Sequence, residues 1–160
     1  QYLYLSYYDI NKAEEIPKVQ SEIRSKIDVL NKAKGVITAE MEKYSEVFNA
    51  VNVIENEKNA YMFYKTGDET FRESAKVVEA AKQVLKESNI SFKEAKKLKE
   101  HYEKLMNENK SQIKKLRLEI STGYRILKEI KEKELQRENV ESKEQDKQRD
   151  IDKKQVKSRR

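Results

Sequence analysis

His101 is the one imidazole in a 160-residue chain that has no cysteine. Nucleophilic or metal chemistry would have to gather around it. A Cys–His pair is ruled out by composition. A Ser–His–acid arrangement needs a strained turn or an oxyanion loop, and three glycines offer little backbone for either. Helical di-metal sites use Glu-x-x-His on two helices, yet the residue three before His101 is Leu98 and there is no second histidine. Glycine-rich phosphate loops are absent. The expectation is therefore no catalytic residue, no metal ligand and no cofactor, with His101 an isolated, partly exposed side chain.

Binding chemistry is better represented. The stretch SFKEAKKLKEHYEKLMNENKSQIKKLR holds nine basic and four acidic residues between positions 93 and 117. At helical spacing Lys93, Lys97 and Lys104 fall opposite the apolar Leu98–Tyr102–Leu105 line, and Lys96, Lys110, Lys114, Lys115 and Arg117 extend the basic surface. Such a face attracts phosphate, sulfated polysaccharide or an acidic protein; the plainer reading is a solvated helix face. The C-terminal KKQVKSRR carries five basic residues, a second electrostatic candidate or an ordinary charged end. The opening QYLYLSYYDI concentrates four tyrosines. Tyr4 and Tyr8 share a helical face with Leu5 adjacent, and that face is expected to pack with its phenols toward water, the alternative being an exposed recognition surface. Tyr61, Phe63 and Tyr64 pose the same choice.

The elements that would position these residues can be derived from composition and spacing. Charged residues make up 40% of the chain against 36% apolar, and one proline and three glycines are too few turn residues for strands. Pro17 suits a first helical turn, which predicts a short aromatic helix before it and a long one after. Ile23, Ile27, Leu30, Ile37, Met41, Tyr44, Phe48 and Val51 form one stripe at steps of three and four, whose unbroken phase predicts continuity through Gly35. Gly67 suits a helix end, with Asp68 or Thr70 capping the next. That helix places Phe71, Ala75, Val78, Ala81 and Leu85 on one face. Ser91 and Glu94 form a capping box, with Ile90 and Ala95 as a staple. The last stripe runs Leu98, Tyr102, Leu105, Ile113, Leu116, Ile120, Tyr124, Leu127 and Ile130; Asn109 interrupts it, and Gly123 is a candidate bend. Beyond Ile130 the apolar spacing fits no face, leaving a solvated tail held by pairs such as Glu129–Lys133 and Asp150–Lys154.

Net charge is +6, all of the excess lying after residue 64. No apolar run approaches the roughly 20 residues that cross a bilayer. The chain begins at Gln1 rather than Met, as expected of a processed or excised piece. Stretches such as NKAKGVITAEMEKYSEVFNAVNVIENEKNA, in a cysteine-free Lys/Glu/Ile/Asn-rich context, resemble the mature regions of helical surface lipoproteins of spirochaetes. That resemblance, over about residues 18–130, implies a lipid tether outside this fragment as the one membrane link, and binding of host matrix, plasma or complement proteins.

The expected fold is all-α: an elongated antiparallel bundle of four or five helices over 1–137, with a charged, solvated helical or disordered extension over 138–160. The expected function is non-catalytic binding, at a cell surface or after secretion, of a macromolecular protein or an acidic or sulfated polymer through a helix face. Nucleic acid is not the expected partner. The alternative is an intracellular coiled-coil scaffold or nucleic-acid-associated factor that oligomerises through its stripes.

Overall fold

The structure, a computed structural model, describes the backbone of residues 1–158 and the side chains of residues 1–142. Every regular element among them is helical: α1 (Tyr2–Tyr7), α2 (Glu15–Lys43), α3 (Ser45–Asn56), α4 (Lys58–Lys65), a 3₁₀ turn (Glu69–Phe71), α5 (Arg72–Glu87) and α6 (Phe92–Ser158). The protein is an all-α helical bundle. Its chain divides into two units, one of Gln1–Ile27 with the segment from Lys115 onward, the other of Asp28–Lys114. α2 and α6 contribute to both.

Three helix ends share one device. Asp9, Gly67 and Asn89 adopt positive φ of 51°, 103° and 51°. In each case the next residue's N–H donates to the carbonyl five back: Ile10 to Leu5 at 2.9 Å, Asp68 to Phe63 at 3.2 Å, Ile90 to Leu85 at 3.1 Å. These are Schellman ends, which satisfy carbonyls left over by the last turn. Glycine at 67 meets the expectation. At 9 and 89, Asp and Asn do the same work, being the non-glycine residues that best tolerate the left-handed region. Side chains satisfy the starts of the 3₁₀ turn, α2 and α6. The Asp68 carboxylate accepts from Thr70 N–H at 3.0 Å, and the Glu15 carboxylate from Asn11 and Lys12 N–H at 2.7 and 3.1 Å. At α6, Ser91 N–H donates to Glu94 at 3.0 Å while Glu94 N–H reaches Ser91 Oγ at 3.3 Å, the reciprocal box expected from sequence.

In the 28–114 unit, α3 packs on α5 and α5 also covers α4. Val47, Phe48, Ala50 and Val51 from α3, Ala81 and Leu85 from α5, and Ala95 from α6 form one core cluster, with Ile90 packed against it. α3 is thus covered by two helices and needs two apolar residues per turn rather than one. The stripe expected as one helix is accordingly divided at Tyr44, whose N–H donates three back, to Met41, at 3.2 Å. After that tightened turn both Val47 and Phe48 face inward. A second break at Glu57 separates α4. These two breaks account for six α-helices where four or five long ones were expected. Tyr44 stacks on Phe48 at 5.9 Å, and Tyr102 lies tilted against both at 6.2 Å. Asn109 is buried, its Nδ2 donating to Leu30 O at 3.0 Å across to α2.

In the other unit α2 and α6 run antiparallel. Gln20 is buried and its Nε2 donates to Ile120 O at 3.0 Å. Gly123 does not bend α6, which passes through it uninterrupted. Its function is close approach: a Cβ there would lie 2.7 Å from Gln20 Nε2, 2.8 Å from the Tyr4 hydroxyl and 3.3 Å from Ile16 Cγ2. The apolar line shifts at this point. Ile126 is buried while Tyr124, expected in the stripe, is half exposed and its hydroxyl accepts from Arg24. Past residue 130 every described side chain is exposed, consistent with a solvated helix. The paired contacts there are Lys128–Glu132 at 3.8 Å and Gln1 Nε2 to Glu129 at 2.5 Å, rather than Glu129–Lys133. The side chains of Ile151, Val156, the Asp150–Lys154 pair and KKQVKSRR lie outside those described.

Both Gly35 and Gly123 sit inside helices, so alanine at either gains the same ~1 kcal/mol of helix propensity. Nothing lies within 4 Å of a methyl at 35, and Gly35→Ala is expected to stabilise by about that amount. Gly123→Ala meets the constrained Tyr4 and Gln20, and overpacking of about 1–3 kcal/mol makes it a net loss. Urea unfolding followed by circular dichroism reads both, and a stabilised Gly123→Ala would show that those side chains yield freely.

Hydrogen bonds from Ser91 hold the Glu94 carboxyl below its ordinary value of 4.5. A carboxyl depressed on folding contributes stability above its unfolded value, and loses it as pH falls through the folded value. Glu94→Gln should therefore cost stability at pH 7 and less with each step below about pH 4.5. A loss that is unchanged at pH 3 would remove the charge from this argument.

Candidate interaction site

The basic residues singled out from sequence all lie on α6, at the solvent side. Lys93, Lys97, Lys104, Lys110, Lys114, Lys115 and Arg117 are exposed, and Lys96 is half-buried. At about 100° per residue, Lys93, Lys97 and Lys104 fall within about 40° of one another, while Lys110 and Lys114 are turned back by about 60–100°. They coat a helix surface rather than converge on a point. Two are already neutralised: Lys96 pairs with Glu55, whose carboxyl is lowered as a result, and Lys104 lies 3.9 Å from Glu108. His101 is exposed with its ring edge-on to Tyr102 at 5.7 Å. Among the described residues no group of three His, Asp or Glu is placed to hold a metal ion.

The more structured surface is at the N-terminus. α1 lies antiparallel along α6: Gln1 reaches Glu129, and Tyr8 donates its hydroxyl to the Glu119 carboxylate at 2.5 Å. The tyrosine group divides between the two fates posed by sequence. Tyr4 is buried, 5.1 Å from the Tyr8 ring. Its hydroxyl points inward and finds no partner among the described residues, so the expectation of phenols turned to water fails for Tyr4. It fails for Tyr8 too, whose phenol is committed to Glu119. The gap that Gly123 leaves is what admits the Tyr4 ring that deeply.

The outer face of α1 goes the other way. Leu3 is 82% exposed and Tyr7 76%, and on α6 Leu118 is 61% exposed. Between these side chains runs a concavity of about 620 Å³, also lined by Thr122, with Lys115 and Arg125 the first and last α6 residues along it. Tyr7 stands edge-on to Tyr8 at 4.9 Å, which fixes the wall. Sequence reasoning found Lys115 and the tyrosines but not Leu118 or Arg125. Leu118 lies off the stripe on the polar side of α6, a position that suggests solvent until α1 is known to lie beside it.

The second aromatic group is a tie between helices. The Tyr61 hydroxyl donates to Glu79 and receives Lys82 Nζ at 2.8 Å, and Lys82 also sits over the Tyr61 ring at 4.0 Å. Phe63 stacks on Phe71 at 5.5 Å. These contacts join α4, which buries no residue of its own, to the 3₁₀ turn and to α5.

No protein-family model, curated protein or solved structure matches the chain at a significant level. No helix among the described residues is long and apolar enough to cross a membrane.

Burial and the Glu119 carboxylate push the Tyr8 phenol above its ordinary value of 10.0, burial being the larger cause. Stability from a group raised on folding is present below the unfolded value and lost as pH rises through the folded one. Tyrosinate absorbance should show a component lagging well above pH 10 in the intact protein that shrinks by one tyrosine in Tyr8→Phe, buried Tyr4, also raised, supplying the rest. An unchanged titration in that variant would detach Tyr8 from Glu119.

Proposed function

We propose that the protein is a non-catalytic binding protein that engages a macromolecular partner, at a cell surface or after secretion. One observation carries the reading: Leu3, Tyr7 and Leu118 stand more than half exposed and together line one concave groove. Exposed apolar surface is ordinary when scattered and informative when it lines a groove. Tyrosine supplies such contacts at low entropic cost. The basic surface of α6 supports the same reading as an electrostatic attractor, raising encounter rates with acidic proteins or sulfated polymers. The resemblance to spirochaetal surface lipoproteins supports the location and a host protein as partner.

A scaffold that oligomerises through its stripes would need those stripes free. Ile16, Ile23 and Ile27 are instead buried in α2, and Val78, Ala81 and Leu85 in α5.

The test uses immobilised protein exposed to serum and to matrix extract. Three forms are compared: intact, Lys93→Glu/Lys97→Glu/Lys104→Glu, and Tyr7→Ser/Leu118→Ser. The groove variant is expected to lose a partner that the intact chain retains, and the charge variant to lose recovery mainly at low salt. Equal recovery by all three would overturn the proposal.

A further inference from the structure

We infer that the groove between α1 and α6 is a docking site for an acidic, amphipathic helical segment of a partner protein, one that sets leucine-like side chains between two carboxylates. The inference rests on the binding-protein reading and adds the partner's chemistry.

The charge pattern carries it. Lys115 and Arg125 bound the groove on one helix, ten residues and therefore about 15 Å apart. Leu118 and Thr122 lie between them on the same side of α6. Neither cation forms an ion pair with a described residue. The lining acid, Glu119, already accepts the Tyr8 hydroxyl. The site is thus apolar in the middle with a cation waiting at each end. A helix laid along it would present apolar side chains one turn apart to Leu3, Tyr7 and Leu118, and carboxylates about three turns apart to Lys115 and Arg125.

Two other occupants fit less well. A second copy of the chain, paired about a two-fold axis through the groove, would place Lys115 opposite the other copy's Arg125, so like charges meet at both ends. A lipid surface is flat and has no use for a 620 Å³ concavity or a fixed cation spacing.

The experiment measures fluorescence anisotropy of a labelled helix-forming peptide against the full chain. The peptide has glutamate at its first and eleventh positions and leucine at its fourth and eighth. Controls replace the glutamates with lysine or the leucines with serine. Lys115→Glu/Arg125→Glu and Leu118→Ser are the protein variants; all three positions are exposed, and circular dichroism checks that each folds.

The acidic leucine peptide should bind, and either control should bind about tenfold more weakly or worse. The lysine peptide should regain binding on the charge-reversed variant. Equal binding of glutamate and lysine peptides overturns the inference. So does binding of phosphatidylserine vesicles in place of the peptide, lost in Leu118→Ser. If no peptide binds while Leu118→Ser still loses a serum or matrix protein, the acidic-helix docking chemistry is wrong and the binding-protein reading stands. If Leu118→Ser alters neither and the Lys93→Glu/Lys97→Glu/Lys104→Glu form also recovers the same proteins as the intact chain, both fall.

Discussion

The missing side chain at Gly123 is the constraint on which the N-terminal unit depends. Tyr4, Gln20 and Ile16 all converge on that point of α6, two of them within 3 Å of where a Cβ would be. A helix of six residues has no stability of its own in water. α1 stands because Tyr4 is sunk into this gap and because Tyr8 and Gln1 are tethered to Glu119 and Glu129 on either side. Once those inward residues are fixed, helical spacing leaves no choice for the others. Leu3 and Tyr7 must face outward, and the wall of the groove is the by-product of the seat.

Buried amides add direction to a bundle that apolar stripes alone would align loosely. Apolar side chains at steps of three and four pack nearly as well when one helix slides a turn along its neighbour. A buried amide does not, because it is left without its partner. Gln20 on α2 meets Ile120 O in one unit, and Asn109 on α6 meets Leu30 O in the other. Each therefore selects one alignment of the two helices within its own unit. Asn109 Oδ1 has no partner among the described residues, a desolvation cost that a leucine in the stripe would avoid.

Much of the architecture was legible because stripes and caps are local. The α5 face matches its sequence pattern residue for residue apart from half-buried Phe71, and the Ser91–Glu94 box and Gly67 end fall where expected. The features that sequence missed depend on contacts between distant parts of the chain. The break at Tyr44 follows from α3 being covered twice, which no stretch around residue 44 announces. Asp9 and Asn89 close helices as glycine would, but their residue types are equally at home in many other roles. Gly123 was open to misreading for the opposite reason: glycine in a helix suggests a bend, whereas here its smallness matters and its flexibility does not. The groove was half legible, since tyrosine clustering pointed to the N-terminus while Leu118 and Arg125 acquire meaning only with α1 alongside.

The division of labour on α6 follows from its charge. A helix this polar can bury one side and must give the rest to water, so an exposed lysine on it carries little information by itself. Lys96 and Lys104 illustrate this, each being taken up by a nearby glutamate. Surface pairs of that kind contribute little to stability. Information enters where the polar side of α6 is interrupted by an apolar residue that the described residues leave mostly exposed. Leu118 is such a residue, and it lines one groove with Leu3 and Tyr7 of α1. An exposed leucine flanked by Lys115 and Arg125, neither of them ion-paired with a described residue, keeps apolar area in water that contact with another apolar surface would remove.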